Sequence, residues 1–490
     1  MVFQNNVLSG AGGSGTTVYE IDQSIRFNEA DSPYMQKTYS GDGSRTTWSF
    51  SFWTKLGKSP PYNSTRGNFL IAYNTTSGAQ EDIRIEGSNQ QLQWFTHNDG
   101  GTGTLADLKT TQYLRDHSAW YHILCVADRT NVVSSERQRM YINGQRVTDF
   151  ATETYPSQSA EGHVGKSADV HYIGSRGGNS NTRIDGYMAE IHYLDGLAYD
   201  PSYFGETTSE GIWIPKEYTG SYGTNGFKID GRDSSDLGDD ESGQGNDYTT
   251  SGLAAHDQVS DSPTNNFATF NPVMTNDSDF EFSEGNLKLD MNTNKSWYVG
   301  AGASMSMTSG KWYWESYWNS GDSYTIWGIL DTEQLHALAG SGSTSIYALN
   351  FNGIQPNSSG TNDQYRQGQG GSAIATGQAG APGGIWQFAL DMDNKKMWLG
   401  YNGTYVGSGD PAGGTNETWS STYIASDSYT PINQGYQISA HSILTYNFGQ
   451  DSTFAGATSA GGNSDASGIG NFKYSVPSGF KALCTKNLGS

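Results

Sequence analysis

The sequence predicts an all-β protein of two tandem β-sandwich (jelly-roll) domains, and three observations carry that prediction. Trp386, Phe388, Leu390 and Met392 alternate with Gln387, Ala389 and Asp391, Asp393-Asn394-Lys395 supplies a turn, and Met397, Leu399 and Tyr401 resume the alternation. That is the period of a β-hairpin. The same plan occurs earlier, with Trp120 to Asp128 as one strand, Arg139 to Ile142 as the other, and an Asn143-Gly144 turn matching Asn402-Gly403. Only the connecting loop, Arg129 to Gln138, is longer. Third, 63 glycines, 13 prolines and 13% aromatic residues in 490 suit many short strands joined by turns. No helical period is sustained, and the length accommodates two domains of about 200 residues each.

Taken in order, residues 1–20 are rich in Gly, Ser, Asn and Thr and form an N-terminal arm whose apolar anchors are Phe3, Val7 and Leu8. Residues 21–230 follow as strands at regular spacing: Ser24–Phe27, Trp48–Trp53, Phe69–Tyr73, Ile83–Ile85, Leu92–Phe95, the first hairpin, His171–Gly174 and Ile184–Tyr193. Residues 231–280 read as an acidic polar join. Residues 281–490 hold the second domain, with Lys311–Glu315, Ile326–Ile329, Tyr347–Phe351, the second hairpin and Leu444–Gln450 as strands. Between them, Gly353 to Gly384 reads as a long exposed loop.

Charge narrows the partners. Fifty acidic against 28 basic residues give a net −22 without the basic stripe that phosphate backbones require, which excludes nucleic acid and anionic membranes. The opening Met1 to Gly10 has neither a basic nor an apolar signal region, and no apolar run of about 18 residues could span a bilayer. Synthesis and retention in a cytoplasm are expected. Cys125 and Cys484 read as small apolar residues with no disulfide between them.

Here a resemblance adds to the residues. The Ser24-Ile-Arg-Phe27 opening, the Trp-led strand ending in Asp, the Tyr141-Ile-Asn-Gly144 turn, and Asp185 to Tyr193 before Leu197-Ala-Tyr-Asp200 resemble laminin G-like, concanavalin A-like sandwiches over roughly residues 21–230. Ser309-Gly-Lys-Trp-Tyr-Trp-Glu315, Asn447-Phe-Gly-Gln450 and Pro477 to Leu488 look like a SPRY domain of the phage type. The join resembles that of tailed-phage virion proteins in which a laminin G-like domain precedes a SPRY-like one. This resemblance implies a virion protein, a fibre, spike or capsid-decoration subunit displaying lectin-like domains to a host-surface glycan. It also implies attachment to other virion proteins through the arm, and symmetric fibres suggest a homotrimer. The alternative is a glycan-active hydrolase or free lectin of the concanavalin A-like class.

Glycoside hydrolysis needs two carboxylates about 5 to 10 Å apart across the scissile bond. The sandwich-glucanase pattern Glu-X-Asp-X-X-Glu is not found, and Glu29-Ala-Asp31 and Asp82-Ile-Arg-Ile-Glu86 come nearest, so no enzyme activity is expected. Ser40 to Trp48 reads as a turn entering a strand. Asp230, Asp233, Asp236, Asp239 and Asp240 gather carboxylates among Gly and Ser and are the candidate calcium ligands, against the plainer reading of a solvated acidic segment. Sugars stack on exposed rings, and Tyr62, Trp213, Tyr222, Trp318 and Trp419 lie near Gly, Pro, Ser or Asn, making them the candidate glycan-binding residues. Trp53, Trp120, Trp314 and Trp386 fall at strand positions expected to face a core.

Overall fold

A computed structural model describes residues 19–58, 66–86, 90–274, 280–291, 299–321, 325–338, 349–355, 364–367, 374–375, 378–435 and 442–488. Phe3, Val7, Leu8 and Tyr62 lie outside the described residues, as does Tyr347. The protein is all-β; among the described residues its α-helix content is the single turn Thr485–Leu488. It divides into a first unit ending at Asn266 and a second beginning at Phe267.

The first unit is a sandwich of two eight-stranded sheets. The front sheet runs Gln145–Arg146, Gln138–Ile142, Tyr121–Asp128, Thr47–Leu56, Gly186–Asp195, Ser24–Phe27, Gln258–Val259, with Phe227–Ile229 also on Gly186–Asp195. The back sheet runs Phe150–Thr154, Thr104–Tyr113, Gln91–His97, Gln80–Glu86, Arg66–Tyr73, Val170–Gly174, Tyr34–Lys37, Thr249–Ser251. Alternation along Thr47–Leu56 sends Trp48, Phe50 and Phe52 inward, where they meet Phe69, Ile83 and Trp94 of the back sheet. A buried polar hub lies within this core. Glu81 accepts from Arg129, from Trp94 Nε1 at 3.0 Å and from the His163 and Val164 amides at 2.8 and 3.1 Å.

The second unit pairs an eight-stranded sheet with a six-stranded one. The larger runs Phe280–Ser283, Lys288–Met291, Ser442–Asn447, Lys311–Ser320, Ile385–Asp391, Lys396–Tyr401, Thr404–Tyr405, and Lys481–Ala482 lies parallel to Lys311–Ser320. The smaller runs Val299–Gly302, Tyr429–Gly435, Thr325–Asp331, Phe351–Gln355, Gln364–Gln367, Ile374–Ala375. Trp314 stacks on Phe388 with centroids 5.1 Å apart and planes 2° from parallel, as expected for facing positions of neighbouring strands. Trp386 is likewise fully buried.

Both expected hairpins form, pairing Cys125 with Met140 and Phe388 with Leu399. Their Asn-Gly turns carry two successive left-handed residues, Asn143 at φ 49° and Gly144 at 73°, then Asn402 at 49° and Gly403 at 86°. That conformation matches the twist of antiparallel strands and favours this dipeptide. Cys125 and Cys484 are buried free thiols.

Two expectations require correction. The join shrinks almost to nothing: Leu237 and Tyr248 enter the first core and Thr249–Ser251 and Gln258–Val259 add edge strands, while Phe267 and Phe270 are fully buried in the second unit. Scattered apolar residues in a polar segment suffice to bury it once a sheet edge accepts its backbone. Gly353 to Gly384 is not one loop, because Phe351–Gln355, Gln364–Gln367 and Ile374–Ala375 pair in succession. Backbone ladder bonds carry strands whose side chains give little alternation.

Candidate functional site

Odd-numbered residues of Thr47–Leu56 face away from the first core. Ser49 Oγ donates to the Leu197 carbonyl at 2.8 Å, Ser51 Oγ lies 2.8 Å from His122 Nε2, and Trp53 joins a small cluster with Ile21 and Ala189. A β-bulge shapes this face. Ala189 pairs with Trp53 and His192 with Ser51, leaving Glu190 as the extra residue at φ 47°. Its carboxylate lies 3.0 Å from His192 Nε2 and 3.5 Å from Lys228 Nζ. Burial pushes Glu190 up, but the His192, Lys228 and Tyr19 contacts outweigh it and pull the group down to about 2.

Beside the bulge, Trp53, Trp120 and Trp213 meet around a cleft of about 270 Å³. Each is positioned by a different element. Trp53 comes from the sheet, and Trp120 precedes strand Tyr121–Asp128. Trp213 comes from a two-stranded hairpin in which Gly205–Thr207 pairs with Trp213–Pro215. The Trp120 indole donates to Asp261 Oδ1 at 3.0 Å, and Asp261 holds Lys55 Nζ at 2.8 Å behind it. The Trp213 ring stacks on His122 with centroids 5.7 Å apart and planes at 28°. A Cβ at Gly144 or Gly205 would stand 2.5 or 2.4 Å from this ring, so the close approach depends on both glycines. Burial, then the neighbouring His192, pushes His122 down to about 3, so the imidazole under Trp213 is uncharged at neutral pH.

The rim is polar. Gln145 and Thr207 are exposed. Asn143 Oδ1 accepts the His122 amide at 2.8 Å, and Asn266 accepts from Lys55 at 2.7 Å while donating to the Ser118 carbonyl at 2.7 Å.

Of the candidate glycan-binding residues that the structure describes, Trp213 alone lies in this cleft. Tyr222 is 7% exposed, packed with Phe204 and Tyr218, its hydroxyl 3.0 Å from His192 Nδ1. Trp318 is buried against Trp327, its Nε1 donating to Ser320, and Trp419 is fully buried, its backbone bridged to Met397. All three fill core space because a large ring beside a turn still covers the nearest open sheet face. Trp53 is 5% exposed and buried as expected, although in the small cluster outside the sandwich core, whereas Trp120, also expected in a core, is half-buried at the cleft. A legible signal existed for Trp53, which is out of phase with Trp48, Phe50 and Phe52. Trp120 had none, since its neighbours across the cleft come from distant segments.

Four of the five aspartates accept backbone amides. Asp230, Asp233 and Asp236 accept the amides of Arg232, Ser235 and Gly238, while Asp240 accepts those of Lys228, Ser242 and Asn246. Slight burial, then Asp247, Asp236 and Asp233, pushes Asp239 up. Among the described residues no group of three or more His, Cys, Asp or Glu side chains could hold a metal ion. The acids nearest the hydrolase pattern are also committed, Glu29 to Lys58 at 2.6 Å and Asp82 to Arg84 at 3.0 Å.

Residues 30–197 match the laminin G model of the concanavalin A-like lectin/glucanases superfamily. No curated protein matches the chain. Among solved structures, the chain is similar to the TRIM65 PSpry domain at 14% identity, covering 37% of this chain and 88% of that one with a TM-score of 0.28. It is similar to the LG1-3 region of the laminin alpha2 chain at 10% identity, covering 86% and 61% with a TM-score of 0.30. A protein from Bacteroides ovatus, provisionally described as carbohydrate binding, aligns at 15% identity over 47% and 58% with a TM-score of 0.29.

Proposed function

We propose that the first unit binds carbohydrate in the three-tryptophan cleft, and that the chain is a tailed-phage virion protein displaying this site to a host-surface glycan without cleaving it. The cleft carries the reading. Trp120 and Trp213 present indole surface, backed by the buried Trp53, around about 270 Å³, close to the roughly 300 Å³ lower bound of small-molecule sites. Sugar rings offer apolar C–H faces to such surfaces and hydroxyls to a polar rim. The lectin-class match over residues 30–197, whose range includes Trp53 and Trp120, supports it.

The virion role rests on the laminin G-like and SPRY-like motifs in that order, with Phe3, Val7 and Leu8 anchoring the arm to other virion proteins in a homotrimeric fibre, spike or capsid decoration. Weak sites gain from such repetition, since tethered copies raise avidity by roughly 10² to 10⁴. The cleft lining, which offers aromatic, amide and hydroxyl groups where hydrolysis would require a carboxylate pair, supports a reading of retention without cleavage.

The test is incubation of the full-length protein and Trp213→Ala with host polysaccharide, measuring retention and released reducing ends, alongside microscopy of labelled protein on intact particles. Retention by the wild type alone, with no release, is expected. Reducing ends released by the wild type would favour the hydrolase alternative, and an unlabelled particle would remove the virion role.

A further inference from the structure

We infer that the cleft selects an uncharged, hydroxyl-rich sugar and that Gln145 is the side chain that reads it; this deepens the carbohydrate-binding reading and rests on it. In a chain with 16% charged residues and a net −22, every described side chain that lines the cleft is uncharged. Lys55 and Asp261, behind the Trp120 indole, are buried and neutralise one another at 2.8 Å.

The polar atoms divide into committed and available groups. The Asn266 amide is used at both ends, by Lys55 and by the Ser118 carbonyl, and Asn143 Oδ1 is used by the His122 amide. The exposed Thr207 hydroxyl is available, and so is Gln145, which is the one lining amide with both ends free among the described residues. Gln145 is exposed immediately after the Asn143-Gly144 turn, its backbone is held by pairing with Ile142, and its side-chain amide makes no hydrogen bond among the described residues. A primary amide offers two donors and an acceptor, which suits adjacent sugar hydroxyls that each donate and accept. A carboxylated, sialylated or phosphorylated sugar would leave its charge without a cationic partner in the cleft and would approach against the net negative field. A protonated amino sugar would lose hydration with no carboxylate facing it.

The experiment immobilises neutral polymers (a glucan, a galactan and a mannan), anionic polymers (polygalacturonate and polysialic acid) and cationic chitosan, and measures retention of the full-length protein. Wild type, Gln145→Leu and Trp213→Ala are compared. Retention on at least one neutral polymer is expected, unchanged between about 50 mM and about 500 mM salt. Gln145→Leu should weaken it roughly five- to tenfold, the loss of one neutral hydrogen-bonding side chain, with unchanged thermal unfolding because the side chain is exposed. Retention confined to a charged polymer, lost in Trp213→Ala, would overturn the selectivity while leaving carbohydrate binding intact. Full retention by Gln145→Leu where Trp213→Ala fails would overturn the role of Gln145. No retention on any polymer would overturn both this inference and the carbohydrate reading beneath it.

Discussion

The indole of Trp213 lies so close to Gly144 that a Cβ on that glycine would stand 2.5 Å from Cε3 of the ring. Gly144 also sits at φ 73°, where a side chain costs roughly 1–2 kcal/mol in its own right. Gly144→Ala is therefore expected to displace Trp213 and reduce sugar retention about tenfold, with a stability loss of about 1–2 kcal/mol. Gly403→Ala is the control: its turn is equally left-handed, at φ 86°, but its neighbour is Tyr474 in the other unit. Binding that survives in both variants would show that Trp213 does not depend on this approach.

Glu81 and Arg129 are both fully buried and ion-paired. Removing one charge strands the other, at a typical cost of 3–5 kcal/mol, roughly the whole margin of many domains. Glu81→Gln should therefore lower the unfolding transition of the first unit and leave that of the second in place. Calorimetry resolves this, and an unshifted first-unit transition would rule out a neutralising role for the pair.

Asp185 is 2% exposed, and burial pushes its carboxyl up from 3.8 to about 6 against the opposing pull of Lys58. Between those values the folded chain holds a proton that the unfolded chain releases. Its contribution to stability is thus complete below the unfolded value of 3.8 and is lost as pH rises through about 6. A shift of about two units corresponds to about 3 kcal/mol. Asp185→Asn, which mimics the protonated form, should gain on the wild type by up to about 3 kcal/mol between about pH 4 and about pH 7. Urea unfolding at the two pH values checks this; parallel changes in both proteins would contradict it.

Each unit closes its own core, around Trp48, Phe50 and Trp94 in the first and Trp314, Phe388 and Trp386 in the second. Residues 1–266 and 267–490 made as separate fragments are expected to unfold cooperatively, each at the temperature it shows in the intact chain. A fragment without a cooperative transition would mean that its core is incomplete alone.

Homotrimer formation through the arm is tested by mass. The full-length protein should measure three chains, and one lacking residues 1–20 should measure one. A monomeric full-length protein on assembled particles would end the proposal.

Much of the fold was legible because β alternation has a period of two and strands advertise it locally. Phe388 opposite Leu399, the Asn-Gly turns and the inward Trp48, Phe50 and Phe52 could all be read from spacing. The motif ending in Glu315 marked a core strand, although not the reason for its Glu. That carboxylate is buried and accepts from the Tyr313 hydroxyl, the Asn447 amide group and the Lys473 and Tyr474 backbone.

By itself the sequence determined the all-β class, the two hairpins, the two cores and the parity that places Trp53 opposite Phe52. Tertiary structure alone decided which rings remain accessible. Trp419 and Trp318 disappear into the second core, whereas Trp120 and Trp213, distant along the chain, stay half-buried on one cleft that the buried Trp53 backs. Burial of a ring depends on what covers it from distant segments, such as Gly144 and Gly205 beneath Trp213 and Asp261 behind Trp120. Local spacing carries no information about such long-range neighbours, because the chain's path between strands is set by sheet pairing rather than by the residues beside the ring.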